Sequence, residues 1–188
     1  MAETASSFLT PWSNFYVMTG SSAAALTGLM FVVISLANRT ERVRKNPDGI
    51  ATFSTPTVMH FSAALLISAV LNAPWHLLIH AAVFIGFVGL FGIVYILRVM
   101  YRTKRLTAYI PDLEDWTWYN ILPFIAYFAI FGGAITLPAV PTKALFAIAG
   151  GIVLLIFIGI RNAWDIVTYL ATGAADEPPV DQSNPTPK

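Results

Sequence analysis

The chain has 188 residues, of which 56% are hydrophobic and 11% are charged, and its formal net charge is +1. A soluble domain has about 25% charged residues, so this composition excludes an ordinary water-soluble fold and predicts that lipid surrounds most of the chain. The absence of cysteine excludes disulfides and cysteine-ligated metal sites, and the short clusters of Lys and Arg exclude the extended basic surface of a nucleic-acid-binding protein.

The chain begins with a polar lead, residues 1–14, which we expect to lie at the membrane interface. The first apolar run, residues 15–37, is long enough at ~1.5 Å per residue to cross a hydrocarbon core of ~30 Å. No Lys or Arg precedes Arg39, so the run lacks the charged segment that begins a cleavable signal peptide. We therefore predict that this run is a retained membrane span.

Four further apolar runs follow, each bounded by proline or charged residues. Thr55 and Pro56 suit the first turn of the second span, and Pro74 ends it, so the second and third spans are predicted to form a tight antiparallel hairpin. Pro123 is expected to bend the fourth span. A proline-rich acidic tail cannot build a packed core and is predicted to be disordered. The predicted spans cover residues 56–73, 76–97, 116–137 and 143–170, and the tail covers residues 173–188.

Lys and Arg are concentrated in two loops, the one after the first span and the one after the third. Short positive loops face the cytoplasm, so these loops orient the chain. The predicted fold class is an all-α, polytopic transmembrane helical bundle with five spans, its N-terminus outside and its C-terminus inside. We expect it in a plasma membrane, specifically a bacterial inner membrane.

The first span contains a block of small residues, and Gly20, Ala24 and Gly28 recur at a spacing of four residues. This spacing places them on one face, as in closely packed membrane helices. One interpretation is packing within a single five-helix bundle. The other is self-association, with the hydroxyl groups of the first span lining a narrow polar path. The candidates for helix packing or pore lining are Gly20, Ser21, Ala24, Thr27, Gly28 and Ser35.

His76 and His80 are four residues apart, a separation that lets two imidazoles on one helix share a metal ion. A third ligand is missing, and His60 is ~24 Å away along its own span at 1.5 Å per residue. Two interfacial histidines facing water are the alternative interpretation. No cofactor is predicted.

The charged residues near the spans have two predicted roles. Arg161 and Asp165 form a pair one helical turn apart at the inner interface, either as an anchor or as a gate or ligand contact. The basic loops are expected to contact anionic lipid or an unidentified membrane protein. The residues predicted for that contact are Arg39, Arg42, Arg44, Lys45, Arg98, Arg102, Lys104 and Arg105.

The absence of catalytic motifs predicts that the protein is not an enzyme, since there is no phosphate-binding loop, dinucleotide fingerprint or nucleophile elbow. The first functional hypothesis is a homo-oligomeric channel or pore-like protein with the first helix at its axis. The second is a non-conducting regulatory or scaffold protein that acts through its basic loops. The third is a metal- or haem-binding membrane subunit.

Overall fold

The computed structural model describes residues 5–37, 47–105 and 116–175, and every regular element within these ranges is helical. A short helix, Ala5–Leu9, and a single 3-10 turn, Thr10–Trp12, lead into the first long helix, so the predicted polar lead is helical from Ala5 onward. A π-helical turn, Thr117–Ile121, precedes the fourth. The five long helices are α1 (Ser13–Ala37), α2 (Pro47–Asn72), α3 (Leu78–Arg105), α4 (Leu122–Thr136) and α5 (Pro141–Ala175).

Among the described residues, five helical segments are long and apolar enough to span a membrane, which confirms the predicted all-helical class and number of candidate spans. They are Ala5–Leu36, Thr55–Asn72, Leu78–Tyr101, Thr117–Thr136 and Pro141–Thr168. Large apolar side chains lie on their outer surfaces: Phe31, Phe87 and Phe146 are 64%, 68% and 65% exposed. Soluble monomers rarely expose large apolar patches, so large exposed apolar side chains on every candidate span suit contact with lipid.

Two predicted helix starts differ from the structure. α2 begins at Pro47, so Pro56 lies within the helix and not in its first turn. α3 begins at Leu78, so His76 belongs to the connection that precedes it. In both cases the start of the apolar run and the start of the helix are different residues. The helix begins before the apolar run in α2 and after it in α3.

The order of the helices in space is not their order in the chain. α1 packs along α2, α3 packs along α4, and α5 packs against both α2 and α4. The bundle is therefore two helical hairpins joined by the last helix. The predicted tight packing of α2 against α3 is wrong, because these helices touch little although residues 73–77 connect them directly.

Glycines explain why α4 and α5 lie close together. A Cβ atom at Gly133 would be 2.7 Å from Cγ1 of Ile148, and one at Gly151 would be 2.6 Å from Cγ1 of Ile130. Each helix thus has a glycine at the position where an isoleucine of the other helix packs. Close backbone approach at small residues is the usual basis of helix contact in lipid.

A π-helical turn stands immediately before Pro123. The Leu122 N–H donates to the Thr117 carbonyl, five residues earlier, and Pro123 follows in the first turn of α4. The proline ring would clash with the carbonyl four residues before it in an α-helix, and the wider π turn relieves that crowding. The expected irregularity at Pro123 is therefore a local widening of the helix, and it brings Asn120 into the interior.

Candidate functional site

α1 has an inward face that packs within the chain. Tyr16 and Ala23 are fully buried, and the Tyr16 hydroxyl donates to the Leu145 carbonyl at 3.4 Å. The Thr19 and Ser68 hydroxyls lie 3.1 Å apart. A Cβ atom at Gly20 would be 3.0 Å from Cβ of Ser68, so Gly20 permits the contact between α1 and α2. For Gly20, packing inside one bundle is the interpretation that the contacts support.

The outward face of α1, by which we mean Ser21, Ala24, Gly28 and Ser35, is exposed. Within the part of the chain that the structure describes, no heavy atom outside the local helix lies within 4 Å of the position that a Cβ at Gly28 would take. Thr27 lies at the edge of this face, half-buried, and its hydroxyl donates to the Ala23 carbonyl at 2.8 Å. The six candidates of the first span are therefore divided between an internal contact and an external surface.

The predicted basic contact residues are only partly described. Arg98 is exposed near the end of α3, and Arg102, Lys104 and Arg105 lie on the last turns of that helix. The other four lie outside the described residues, namely Arg39, Arg42, Arg44 and Lys45. We use the name basic end for the end of the bundle where α1 ends at Ala37, α2 begins at Pro47 and α3 ends at Arg105.

His76 and His80 do not share a helical face, because α3 begins only at Leu78. Both histidines are exposed, and the ring of His80 lies 6.2 Å from that of Trp75. Within residues 5–37, 47–105 and 116–175, no group of three or more His, Cys, Asp or Glu side chains is placed to hold a metal ion. The geometry on which the two-histidine metal hypothesis depended is therefore absent.

Arg161 and Asp165 form the predicted ion pair on α5. Their side chains are 34% and 38% exposed, and the Arg161 guanidinium also lies 5.8 Å from the centre of the Trp118 ring. This contact ties α5 to the π-helical turn before α4. An arginine that is paired, stacked and half exposed has the surroundings of an interfacial anchor.

His60 of α2 and Tyr127 of α4 form a buried pair that the sequence analysis did not predict. Nδ1 of His60 lies 3.1 Å from the Tyr127 hydroxyl, and the tautomer of His60 decides which group donates. The two residues are 0% and 1% exposed. A histidine inside an apolar run is a signal of function in itself, but its partner is on another helix and no spacing in the sequence reveals it.

Two asparagines are enclosed on the same side of the bundle. Asn120 is 3% exposed and Asn162 is 0% exposed. Four enclosed side-chain atoms have no hydrogen-bond partner among the described residues: Nε2 of His60, Oδ1 of Asn120, and both Oδ1 and Nδ2 of Asn162. Buried polar atoms are paired in the great majority of cases, so this group marks a second candidate site.

Comparisons of the chain with protein-family models, curated proteins and solved structures find no match. The functional argument therefore depends on the two sites themselves, the outward face of α1 and the enclosed polar group around His60.

Proposed function

We propose that the protein is a homo-oligomeric membrane protein whose copies associate through the outward face of α1. The observation that supports this most directly is Gly28, which is exposed and has no neighbour for an added Cβ within 4 Å. Gly20 on the same helix packs against Ser68, whereas no described residue outside the local helix lies within 4 Å of a Cβ at Gly28. Small residues on a lipid-facing helix surface allow a second helix to approach closely.

The activity that we propose for this assembly is conduction along its axis. The outward face carries the hydroxyl groups of Ser21 and Ser35, which are separated by ~21 Å along the helix at 1.5 Å per residue. Hydroxyl groups and small side chains at an axis line a narrow polar path. The permeating species has to be small and is defined by flux measurements on the reconstituted protein.

A non-conducting regulatory or scaffold assembly is the second candidate, and the flanks of the same face favour it. Phe31 and Val32 are 64% and 54% exposed beside Gly28, and such side chains suit a dry contact with a helix or lipid. Two serines among apolar side chains are a sparse lining for water. In this alternative the exposed Arg98 and the neighbouring basic residues contact anionic lipid or a protein partner.

The absence of cysteine allows a clean test of the interface. Single variants Ser21→Cys and Gly28→Cys are oxidised in native membranes, and Leu29→Cys serves as the control. Leu29 lies at the depth of Gly28 but ~100° around the helix, and it is 59% exposed. We expect disulfide-linked dimers with the first two variants and little with the third. Equal cross-linking at all three positions indicates random collision and contradicts the interface.

Native mass spectrometry and flux measurements then separate the two candidates. A closed assembly of several copies that conducts in liposomes supports the channel. An assembly of the same size that shows no flux for any small ion tested supports the non-conducting alternative. A monomer in mild detergent and in lipid nanodiscs contradicts the homo-oligomeric proposal and favours a non-conducting regulatory protein that acts through its basic loops.

A further inference from the structure

The enclosed polar group around His60 is separate from the outward face of α1, because none of its residues belongs to α1. His60, Asn120 and Asn162 belong to α2, the π-helical turn before α4, and α5. All three are at least nine-tenths buried, and together they hold four polar atoms without a partner among the described residues. An enclosed donor or acceptor that lacks a partner destabilises a fold, so these three residues indicate a place where a bound ligand would be stabilising.

His60 and Asn162 lie at nearly the same depth. A Cβ atom at Gly159 would overlap the ring of Phe61, so Gly159 of α5 lies opposite Phe61 of α2. His60 is one residue from Phe61, and Asn162 is three residues from Gly159, in both cases toward the basic end. The depths of His60 and Asn162 along the bundle therefore differ by ~3 Å at 1.5 Å per residue. Ala163 and Ile166 belong to one hydrophobic cluster with Phe61 and Val58, so this part of α5 lies near α2.

Asn120 is near the level of Asn162. The Arg161 guanidinium lies 5.8 Å from the Trp118 ring, so the turn of α5 that holds Asn162 is beside the π-helical turn that holds Asn120. Asn120 lies within this widened turn and is enclosed three residues before Pro123. π-helical turns of this kind are frequent at functional sites.

The chemistry of the group favours a neutral ligand that both donates and accepts hydrogen bonds. Two amides and an imidazole supply donors and acceptors in similar number, and no Asp or Glu among the described residues is buried there to neutralise a cation. Farther from the basic end, the buried hydroxyl groups of Thr19 and Ser68 pair with each other. The fully buried side chains there include the apolar Ile67, Ile130 and Ile152. The enclosed side-chain atoms that lack a partner among the described residues therefore lie in the half of the bundle nearer the basic end.

We propose that a water-filled inlet opens toward the basic end beside Arg161 and ends at the pair formed by His60 and Tyr127. The inlet is lined by His60, Asn120, Asn162 and Tyr127. Water has the size and the mixed hydrogen bonding that these atoms require, and buried water commonly satisfies such groups. The inlet brings bulk water to an imidazole in the interior of the helical bundle.

Radiolytic hydroxyl labelling of the wild-type protein in nanodiscs tests the inlet. X-ray pulses generate hydroxyl radicals from water, so a buried side chain is oxidised quickly only when water lies next to it. Tyr16 is the internal control, because it is as buried as Tyr127 but its hydroxyl donates to the Leu145 carbonyl among apolar neighbours. We expect Tyr127 to be oxidised several times faster than Tyr16. Equally slow oxidation of both tyrosines overturns the proposal.

A variant pair locates the path of entry. Asn162→Leu replaces the enclosed amide with an apolar side chain of similar size, and Ile160→Leu is the control at a neighbouring lipid-facing position that is 43% exposed. We expect oxidation of Tyr127 to fall to the rate of Tyr16 in Asn162→Leu and to keep the wild-type rate in Ile160→Leu. A folded Asn162→Leu protein with wild-type labelling of Tyr127 contradicts entry past Asn162. This result is independent of whether α1 forms an interface between copies.

Discussion

The phenol ring of Tyr127 occupies the space that any side chain at position 92 would need. A Cβ atom built on Gly92 would overlap the ring, which extends from α4 past α3 and brings its hydroxyl 3.1 Å from Nδ1 of His60 on α2. One tyrosine therefore connects three helices. It also explains how α2 and α3, adjacent in the chain, are held together in the interior although they pack little against each other.

Replacing Gly92 with alanine is expected to destabilise the bundle. The added methyl group must displace the buried Tyr127 ring, and overpacking of this kind costs ~1–3 kcal/mol. Gly132→Ala is the matched control, since nothing lies within 4 Å of a Cβ there. Thermal unfolding in detergent should show a lower Tm for Gly92→Ala and a wild-type or slightly higher Tm for Gly132→Ala. Equal Tm values would mean that Tyr127 does not occupy this space.

Neighbouring glycines on α5 should respond in opposite ways to the same substitution. Gly151→Ala places a methyl group 2.6 Å from Cγ1 of Ile130 and 2.8 Å from the Ala126 carbonyl oxygen, whereas Gly150→Ala meets nothing within 4 Å. We expect Gly151→Ala to lower the free energy of unfolding by ~1–3 kcal/mol through overpacking. Gly150→Ala should be neutral or stabilising by up to ~1 kcal/mol, the helix propensity difference. The comparison uses denaturant unfolding in micelles, and the reverse order would contradict the α4 and α5 contact.

Leucine at the two ends of the small-residue block should separate folding from assembly. Gly20→Leu introduces a branched side chain at a position where a Cβ atom alone would be 3.0 Å from Cβ of Ser68. We therefore expect a less stable monomer fold. Gly28→Leu has open space and should unfold at the wild-type temperature. If our proposed function is correct, Gly28→Leu nevertheless loses the assembled species in native mass spectrometry and abolishes flux. Wild-type assembly and flux in this variant would show that Gly28 does not face other copies.

The Arg161 and Asp165 pair is expected to contribute little to stability. Both side chains are more than one-third exposed, and exposed pairs four residues apart couple by ~0.2–1 kcal/mol. A double-mutant cycle with Arg161→Gln and Asp165→Asn should give a coupling in this range that decreases with salt. Arg161→Gln should cost more than Asp165→Asn, because it also removes the contact with Trp118. A coupling of several kcal/mol would instead indicate a buried gate.

The orientation of the chain is tested with a reporter fused after Lys188. Four Lys and Arg residues follow each of the first and third spans, so we expect the C-terminus in the cytoplasm. Substituting Arg98 and the basic residues at the end of α3 with Gln should weaken this preference, and Lys143→Gln should preserve it. An external reporter signal in the unmodified chain would reverse the predicted topology.

Hydropathy predicted the number of long helices, because a span has to satisfy its own backbone hydrogen bonds and present apolar side chains along its whole length. It did not predict their neighbours. Gly92 contacts Tyr127 and Gly151 contacts Ile130. These contacts depend on the shapes of helix surfaces that are far apart in the sequence. The enclosed site illustrates the same limit: His60, Asn120 and Asn162 each stand out as polar residues in apolar runs, but their association follows from packing alone.

The position of α5 between the two hairpins also constrains biogenesis. α1 can pair with α2, and α3 with α4, as each hairpin leaves the ribosome, whereas the helix that contacts both hairpins is synthesised last. The two hairpins are therefore synthesised before the helix that packs against both of them. Truncation before Pro141 would leave these two hairpins without the helix that contacts both, so the chain has to be synthesised to its last helix before the bundle can close.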